Sequence, residues 1–243
     1  MRGRRDLNPQ LLYYKYSIIH CHMPILKKNN KDFFKTWSRD MSYVLGFLYA
    51  DGNIVQTKRG THFTAFYSAD ESLLLDMRKV LKSEHVVSKR SSRSGQVCRL
   101  QIGSRIWFED LGKIGLTPNK TKRMTLPKIP DEFFSDFVRG YFDGDGNVWV
   151  GYVHKDRPTS TLTIQTTFTS GSFEFLQSLK NRLHCFGLSG GSLFRPKSGN
   201  YGRLTFSKRD TLKIYKMMYN ARHKLYLKRK KVVFEKFVNN CGL

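Results

Sequence analysis

The chain has 243 residues, 40% of them hydrophobic, which can bury one large core or two modest ones. Its 43 Lys and Arg residues against 19 Asp and Glu give a formal net charge of +24, which opposes compactness by self-repulsion and is typical of proteins that bind a polyanion. We expect a nucleic acid rather than a membrane as the partner, because the basic residues are scattered and the sequence has no uncharged apolar run long enough to span a bilayer.

Residues 1–37 are basic and aromatic, without a clear hydrophobic period, and are predicted to be an N-terminal tail. They do not match a signal peptide, since their apolar stretch is interrupted by Lys15 and Pro24. The four cysteines stand far apart, with no spacing typical of a disulfide framework or a zinc site. We therefore expect an intracellular protein in a reducing compartment, which would be the cytoplasm or nucleoid, or an organelle if the source is eukaryotic.

The first half of the fold is predicted over residues 38–115. Ser38 can cap a helix whose apolar period continues to a stop at Gly52. The predicted elements that follow are a strand over 61–68, a helix over 70–81, two strands near Val86 and over 96–104, and a helix over 107–111. Residues 116–131 contain three prolines and no period, and are predicted to be a linker.

The same order of elements returns over residues 132–243, so the sequence contains an internal repeat. Its predicted elements are a helix over 132–142, a strand over 161–170, a helix over 172–183, strand-like segments within 190–207 and a helix from Asp210. Ser92–Arg105 aligns with Pro196–Arg209 without a gap, sharing Ser-Gly, Arg-Leu and an apolar residue two positions further on. Two copies of one unit in a single chain predict a monomer with twofold pseudosymmetry.

Two helices in matching places carry the features that indicate function. Tyr43–Ile54 corresponds to Phe137–Val148 in the repeat, and each has two small residues four positions apart on one helix face. These small residues are Gly46 and Ala50 in the first helix, and Gly140 and Gly144 in the second. Because glycine within a helix costs about 1 kcal/mol relative to alanine, its matched use predicts that the two helices pack closely there.

Each of these helices ends in Asp-Gly, at Asp51 and Asp145, with a glycine suited to a left-handed position after the helix. A carboxylate there faces the negative end of the helix dipole, and close packing adds repulsion between the two acids. A divalent cation with oxygen ligands, Mg²⁺ above all, would relieve both effects and could support phosphodiester hydrolysis. A plain helix stop is the alternative for one copy, but two matched copies favour the metal site. A calcium-binding EF-hand loop from Asp143 is excluded, because Val148 and His154 stand where it needs Gly and Glu.

The two motifs, Val44–Gly52 and Val138–Gly146, resemble the paired motifs of the LAGLIDADG homing endonucleases, and the resemblance extends from residue 38 to about residue 238. It implies an α+β fold of two pseudo-symmetric αββαββα halves, whose antiparallel sheets form a saddle on double-stranded DNA. Tyr49 and Asp143 occupy the position before the small residue where many members have aspartate. Asp143 is left without a predicted role.

By the same resemblance, Asp51 and Asp145 are the catalytic acids and the metal ligands, with Ala50 and Gly144 beside them in the metal site. The implied cofactor is Mg²⁺, with Mn²⁺ as a substitute and Ca²⁺ as an ion that binds without supporting cleavage. The resemblance also implies a lysine near each metal site, in a place where it can stabilise the transition state or perturb the attacking water. These lysines are Lys120, with Lys122 as the alternative, and Lys228, although the register of the repeat alone would choose Lys224.

Strand alternation predicts which side chains face DNA. If apolar residues such as Leu100, Ile164 and Phe206 face the core, their neighbours face outward, where Arg, Gln and Thr suit base edges and thymine methyl groups. The predicted base contacts come from Arg99, Gln101, Thr163, Gln165, Thr167, Arg203 and Thr205. Contacts to the DNA backbone are predicted from Arg90, Arg93, Arg195 and Lys197. An ordinary solvated sheet face is the alternative.

The leading prediction is a monomeric, Mg²⁺-dependent, site-specific DNA endonuclease that cuts both strands to leave 3′ overhangs, with mobile introns or inteins as the usual hosts. The first alternative is a protein on the same scaffold that does not cut, either an intron RNA maturase or a DNA-binding regulator. The second alternative is a general basic RNA-binding protein, which would not need two matched helices that end in acids. The presence of both aspartates favours the nuclease.

Overall fold

The computed structural model describes residues 27–92, 95–153, 159–197, 199–220 and 224–242. Within these ranges the elements run helix, strand, strand, helix, strand, strand, helix, and the same order then repeats. The α+β fold of two αββαββα halves, predicted from the sequence, is confirmed. In the described part of the chain, no helix is both long enough and apolar enough to cross a membrane.

The first half begins with a helix that starts after Ser38, whose hydroxyl accepts a hydrogen bond from the N–H of Met41. Its elements are α1 (Arg39–Asp51), β1 (Gly52–Gln56), β2 (His62–Ser68), α2 (Glu71–Val80), β3 (Val87–Ser92), β4 (Gly95–Gly103) and α3 (Arg105–Ile114). Helix α3 ends at Gly115, where a φ of 101° in the left-handed region requires glycine.

The second half follows a short 3₁₀ turn at Lys120–Lys122. Its elements are α4 (Asp131–Asp145), β5 (Gly146–Val153), β6 (Thr161–Ser170), α5 (Phe173–Cys185), β7 (Ser192–Phe194), β8 (Gly202–Phe206) and α6 (Lys208–Tyr219). A further helix, α7 (Lys228–Asn240), closes the chain and was not predicted as a separate element.

Each half contains one four-stranded antiparallel sheet. The strand order is β1-β2-β4-β3 in the first sheet and β5-β6-β8-β7 in the second. One face of each sheet packs on helices, so burial alternates along the strands. Leu100 and Ile102 of β4 are fully buried, whereas Arg99 and Gln101 are partly exposed on the opposite face. The same alternation buries Ile164, Phe168, Leu204 and Phe206 in the second half.

Helices α1 and α4 pack against each other so closely that their backbones touch. A Cβ atom added to Gly46 would lie 2.1 Å from the carbonyl oxygen of Phe137, and one added to Gly140 would lie 2.0 Å from that of Tyr43. No side chain fits at either position. A hydrogen bond of 2.8 Å from the Ser42 hydroxyl to a carbonyl oxygen of α4 also crosses the interface. The close packing brings the ends of the two helices together.

The packed part of the first half starts earlier than residue 38. Phe33 and Phe34 are buried and form an aromatic cluster with Trp107, whose indole N–H donates to the Asn30 carbonyl oxygen at 2.9 Å. This aromatic packing joins Phe33 and Phe34, which were predicted to lie in the N-terminal tail, to α3. Residues 1–26 lie outside the described ranges.

Candidate active site

Helices α1 and α4 each lead directly into the first strand of their half. The N–H of Gly52 donates to the Leu48 carbonyl and that of Gly146 to the Phe142 carbonyl, and both glycines are extended, with φ of −114° and −90°. The left-handed conformation predicted for them is wrong. Glycine is needed here for space, since an added Cβ would lie 2.7 Å from the Leu48 oxygen in one half and 2.5 Å from the Phe142 oxygen in the other. Each strand can therefore start at the residue after the aspartate.

Asp51 and Asp145 lie at the adjacent ends of the packed helices. A Cβ added to Gly144 would lie 2.4 Å from the Ala50 Cβ and 3.3 Å from Asp51 Oδ2, so the last turn of α4 contacts Asp51 directly. Both aspartates are half-buried, and neither carboxylate accepts a hydrogen bond from a residue that the structure describes. The two negative charges are therefore held close together without a hydrogen-bond donor.

The electrostatics of the pair follow from burial and proximity. Burial raises the pKa of Asp51. Burial, together with the negative charge of Asp51, raises the pKa of Asp145 to about 6. The charges of Lys120 and Lys230 oppose both shifts. The site thus contains two carboxylates that repel each other and two lysines that partly neutralise them.

Lys120 lies in the 3₁₀ turn between the halves and is only 8% exposed. Its Nζ donates to the carbonyl oxygen of Gly52 at 2.7 Å, one residue after Asp51. Burial lowers the pKa of Lys120, and the two aspartates oppose this shift. Lys122, the alternative from the sequence, is exposed at the other end of the turn. The structure brings Lys120, and not Lys122, to the aspartates.

In the second half, the buried lysine beside the aspartates is Lys230. Its Nζ donates to the carbonyl oxygens of Phe142, Asp143 and Gly146 at 2.7, 2.8 and 2.6 Å, and a longer contact of 3.2 Å reaches that of Gly144. Burial lowers the pKa of Lys230 to about 8. An ammonium among the free carbonyls of a helix C-terminus is stabilised by the helix dipole. The contact with Gly146 repeats the one that Lys120 makes with the first residue of β1.

Lys228, predicted for this place, and Lys224 are both exposed, and the structure brings neither to the aspartates. Lys228 comes two residues before Lys230 on α7, which is about 200° around the helix axis, so the two side chains leave opposite faces. The helical period carries a signal that sequence reasoning missed. Phe234 and Phe237 are buried four and seven positions after Lys230, so counting back along their face reaches Lys230.

Asp143 joins α4 to the start of α7. Its Oδ2 accepts hydrogen bonds from the Tyr43 hydroxyl at 2.7 Å and from the Leu227 N–H at 2.8 Å. Burial raises the pKa of Asp143 to about 6, and these two hydrogen bonds oppose the shift. Because Leu227 immediately precedes α7, Asp143 fixes the beginning of the helix that carries Lys230.

The residues predicted to contact DNA lie mainly on the exposed faces of the sheets. Outward positions of β4, β6 and β8 hold Arg99, Gln101, Thr163, Gln165, Thr167, Arg203 and Thr205. Arg90 of β3 pairs with Val97 and so shares the outward face of β4. Arg195 and Lys197 are exposed after β7, and the Arg195 guanidinium lies 5.9 Å from the Phe173 ring. Arg93 lies outside the described residues.

The donor set at the helix ends fits a divalent cation with oxygen ligands. Two half-buried carboxylates without hydrogen-bond donors are suited to Mg²⁺, which binds proteins through one or two carboxylates. In the described ranges, no group of three or more His, Cys, Asp or Glu residues could hold a metal by itself. The protein would therefore supply only part of the coordination shell.

Known proteins resemble this chain either in one part of its sequence or in the fold of most of the chain. No protein-family model matches the sequence. A segment of 117 residues, 47% of this chain, is 28% identical to a protein of Methanopyrus kandleri that forms part of its A-type ATP synthase. The chain spans only 11% of the length of that relative.

Several solved structures have the same architecture over most of the chain. The homing endonuclease I-WcaI bound to its DNA recognition sequence is 19% identical, with 83% of this chain and 90% of that chain covered and a TM-score of 0.57. The LAGLIDADG meganuclease I-AabMI bound to uncleaved DNA is 16% identical, with coverages of 81% and 88% and a TM-score of 0.56. The LAGLIDADG homing endonuclease I-SmaMI bound to cleaved DNA is 11% identical, with coverages of 82% and 87% and a TM-score of 0.57.

At these identities the likeness concerns the fold alone. It extends over more than four fifths of the chain and so includes parts of both halves. The chain has the fold of the LAGLIDADG meganucleases, with both repeats in one polypeptide.

Proposed function

We propose that this chain is a site-specific endonuclease for double-stranded DNA, which hydrolyses one phosphodiester bond in each strand with the help of a divalent cation and leaves 3′ overhangs. The observation that carries the proposal is the meeting of Asp51 and Asp145 at the ends of two packed helices, with a buried lysine held beside each end. Two carboxylates without hydrogen-bond donors repel a polyanion, so a protein that only binds DNA gains nothing from them.

Asp51 and Asp145 would hold the cation, which is Mg²⁺ by preference, with Mn²⁺ as a substitute and Ca²⁺ as an ion that supports binding alone. When bound, Mg²⁺ neutralises charge on the phosphate and lowers the pKa of a water molecule. Because the described residues offer no third acid, histidine or cysteine in a cluster, backbone carbonyls such as those of Ala50 and Gly144, solvent and the DNA phosphates would have to complete the shell.

Lys120 and Lys230 supply positive charge in fixed positions. Each ammonium is held by carbonyl oxygens at a helix end, so its place is set before DNA binds. An ammonium preorganised in this way stabilises the negative charge that develops on the phosphate as the bond breaks. With a pKa of about 8, Lys230 is mostly protonated at neutral pH, as this role requires.

The exposed faces of the two sheets provide the DNA-binding surface. They carry arginine, glutamine and threonine, which suit base edges, in a chain with a formal net charge of +24 that attracts phosphates. One half of the chain would contact each half of the target site, so a monomer is sufficient to place one acid at each strand.

Cleavage is tested by incubating the chain with a plasmid library that carries a randomised insert, in Mg²⁺, and sequencing the ends produced. We expect a single consensus with 3′ overhangs. Asp51→Asn and Asp145→Asn should each reduce double-strand cleavage by about 10³-fold or more. Binding to the recovered site in Ca²⁺ should stay within about tenfold of the parent, because the acids act in chemistry more than in docking. Variants that cleave as fast as the parent, or a parent that yields no cut ends, would refute the proposal.

A further inference from the structure

The exposed face of the second sheet is rich in threonine. Every second residue of β6 points outward, and β8 adds two residues to the same face. The outward residues of these two strands are Thr161, Thr163, Gln165, Thr167, Thr169, Arg203 and Thr205. Five of the seven are threonines, and among the described residues of β5–β8, Arg203 is the one Lys or Arg.

The threonine hydroxyls on this face are partly satisfied within the protein. Thr167 pairs with Thr205 across β6 and β8, and their hydroxyl oxygens lie 3.1 Å apart in a hydrogen bond. A hydroxyl that already has a partner is less available to a phosphate or a base edge. The methyl groups of the pair have no such competing partner and remain for apolar contact.

Aromatic side chains extend the apolar character of the same face. Trp149 of β5 is 43% exposed, and a Cβ added to Gly151 would lie 2.3 Å from its ring, so the indole lies over Gly151. Gly151 pairs with Thr163, which places the indole next to the row of threonines. Phe194 of β7 is 56% exposed and pairs with Arg203 at the other edge.

The face of the first sheet is more basic, although the partly exposed rings of Phe63 and Tyr67 in β2 share it. Arg99 and Gln101 line a surface cavity of about 330 Å³ there, and Arg90 lies outward on the neighbouring strand. The Nε atom of Arg99 is buried and has no hydrogen-bond partner among the described residues. Arg203 on the second face, by contrast, lies with its guanidinium 5.2 Å from the Tyr201 ring.

These differences predict different base preferences. In the major groove, arginine pairs with guanine and glutamine with adenine, while threonine methyls and aromatic rings contact the methyl group of thymine. We propose, on the basis of the proposed function, that the second sheet reads an A·T-rich half-site through thymine methyl groups, and that the first sheet reads guanine in the other half-site.

The base preferences are tested by selection for binding, which does not depend on cleavage. Randomised duplexes bound by the full chain in Ca²⁺ are recovered and sequenced, and the selection is repeated with Arg99→Ala to show which half-site belongs to the first sheet. We expect a loss of preference for guanine in that half-site alone. Failure to enrich any sequence, or a half-site rich in G·C pairs under the second sheet, would overturn the inference.

Replacement of thymine by uracil then removes only the methyl group from DNA. In the recovered duplex, uracil throughout the second half-site should weaken binding on the order of tenfold, since several apolar contacts are lost, and uracil in the first half-site should have a smaller effect. The variant Thr167→Ser/Thr205→Ser keeps the hydroxyl pair but lacks both protein methyls. It should discriminate less between thymine and uracil duplexes than the parent does.

Equal effects of uracil in the two half-sites would contradict the inference, as would an unchanged preference for thymine in the double serine variant. A chain that binds with this asymmetry but produces no cut ends in Mg²⁺ would refute the nuclease and leave the inference about half-sites standing. The two proposals can therefore fail separately.

Discussion

The ends of α1 and α4 have the same arrangement of an aspartate and a buried lysine, but different elements supply the two lysines. In both halves an aspartate ends the helix and a buried lysine donates to the carbonyl of the next residue. Lys120 does so from a three-residue turn and contacts that one carbonyl, whereas Lys230 does so from a 13-residue helix and contacts several. Unrelated elements therefore place an ammonium at equivalent positions in the two halves.

The contacts between α1 and α4 also differ at places that are equivalent in the repeat. Tyr43 corresponds to Phe137 in the repeat, and Asp143 corresponds to Tyr49. The Tyr43 hydroxyl donates to Asp143 at 2.7 Å, while Phe137 and Tyr49 make an edge-to-face contact with ring centroids 5.5 Å apart. One pair is polar and the other apolar at equivalent places. The polar pair also holds Leu227, and through it α7.

Substitution of the two buried lysines should give the largest difference in stability between the two halves. Lys230→Met removes a charged donor from three carbonyls at the end of α4, so we expect it to lower the free energy of unfolding by about 2–3 kcal/mol. Lys120→Met leaves one carbonyl without its donor and should lower the free energy of unfolding by about 1 kcal/mol. Urea denaturation in the absence of metal measures both.

The matched control for this pair is Lys228→Met, which removes an exposed lysine from the same helix and should change stability by less than about 0.5 kcal/mol. Equal losses for Lys230→Met and Lys120→Met would show that the extra carbonyl contacts do not stabilise the second half.

The acids should make the metal-free protein less stable as the pH rises. Burial and the charge of Asp51 raise the pKa of Asp145 to about 6, above the value of 3.8 for an unperturbed aspartate. The contribution of Asp145 is therefore fully present below about pH 3.8 and is lost as the pH rises through 6. Between pH 5 and pH 7 we expect Asp145 alone to contribute a loss of about 1–2 kcal/mol in the free energy of unfolding.

The variant Asp145→Asn isolates this contribution, because Asp143 has its pKa raised in the same direction and is unchanged in the variant. The stability of the variant should depend less on pH than that of the parent. Mg²⁺ should raise the melting temperature of the parent more at pH 8 than at pH 5, since the cation binds the deprotonated pair. A parent and a variant with the same pH dependence would contradict the repulsion between the acids.

The fold could be predicted from the sequence because its signals are local. The cap at Ser38, the helical period of α1 and the alternation along β6 each lie within one element. Because of the internal repeat, corresponding signals occur in both halves, which strengthens each prediction. The paired small residues in α1 and α4 identified the helix contact for the same reason.

The rest of the site depends on contacts between distant residues. Asp143 acquires its role from Leu227, 84 positions later, and no local pattern connects the two. The packing of Phe33 on Trp107 is similarly distant in sequence. The period of Phe234 and Phe237 indicates Lys230. The resemblance and the register of the repeat instead predicted the exposed residues Lys228 and Lys224.

The two tyrosines of α1 provide the smallest and most selective test of the comparison. Tyr43→Phe removes the hydroxyl that donates to Asp143 and should lower the free energy of unfolding by about 1 kcal/mol, because the carboxylate loses one of its two donors while buried. Tyr49→Phe removes a buried hydroxyl that has no hydrogen-bond partner in the described part of the chain. Its loss should leave stability unchanged or raise it slightly, since burying an unpaired hydroxyl is unfavourable.

Both variants make the same chemical change in the same helix, so the difference between them reports on the pairing alone. Tyr43→Phe should also slow cleavage, because a looser Asp143 holds Leu227 and α7 less firmly and Lys230 then samples more positions. Tyr49→Phe should cleave like the parent. If the two variants have equal stabilities and equal cleavage rates, the polar pair of the second half is no more than a packing contact, and the two halves support their lysines equally well.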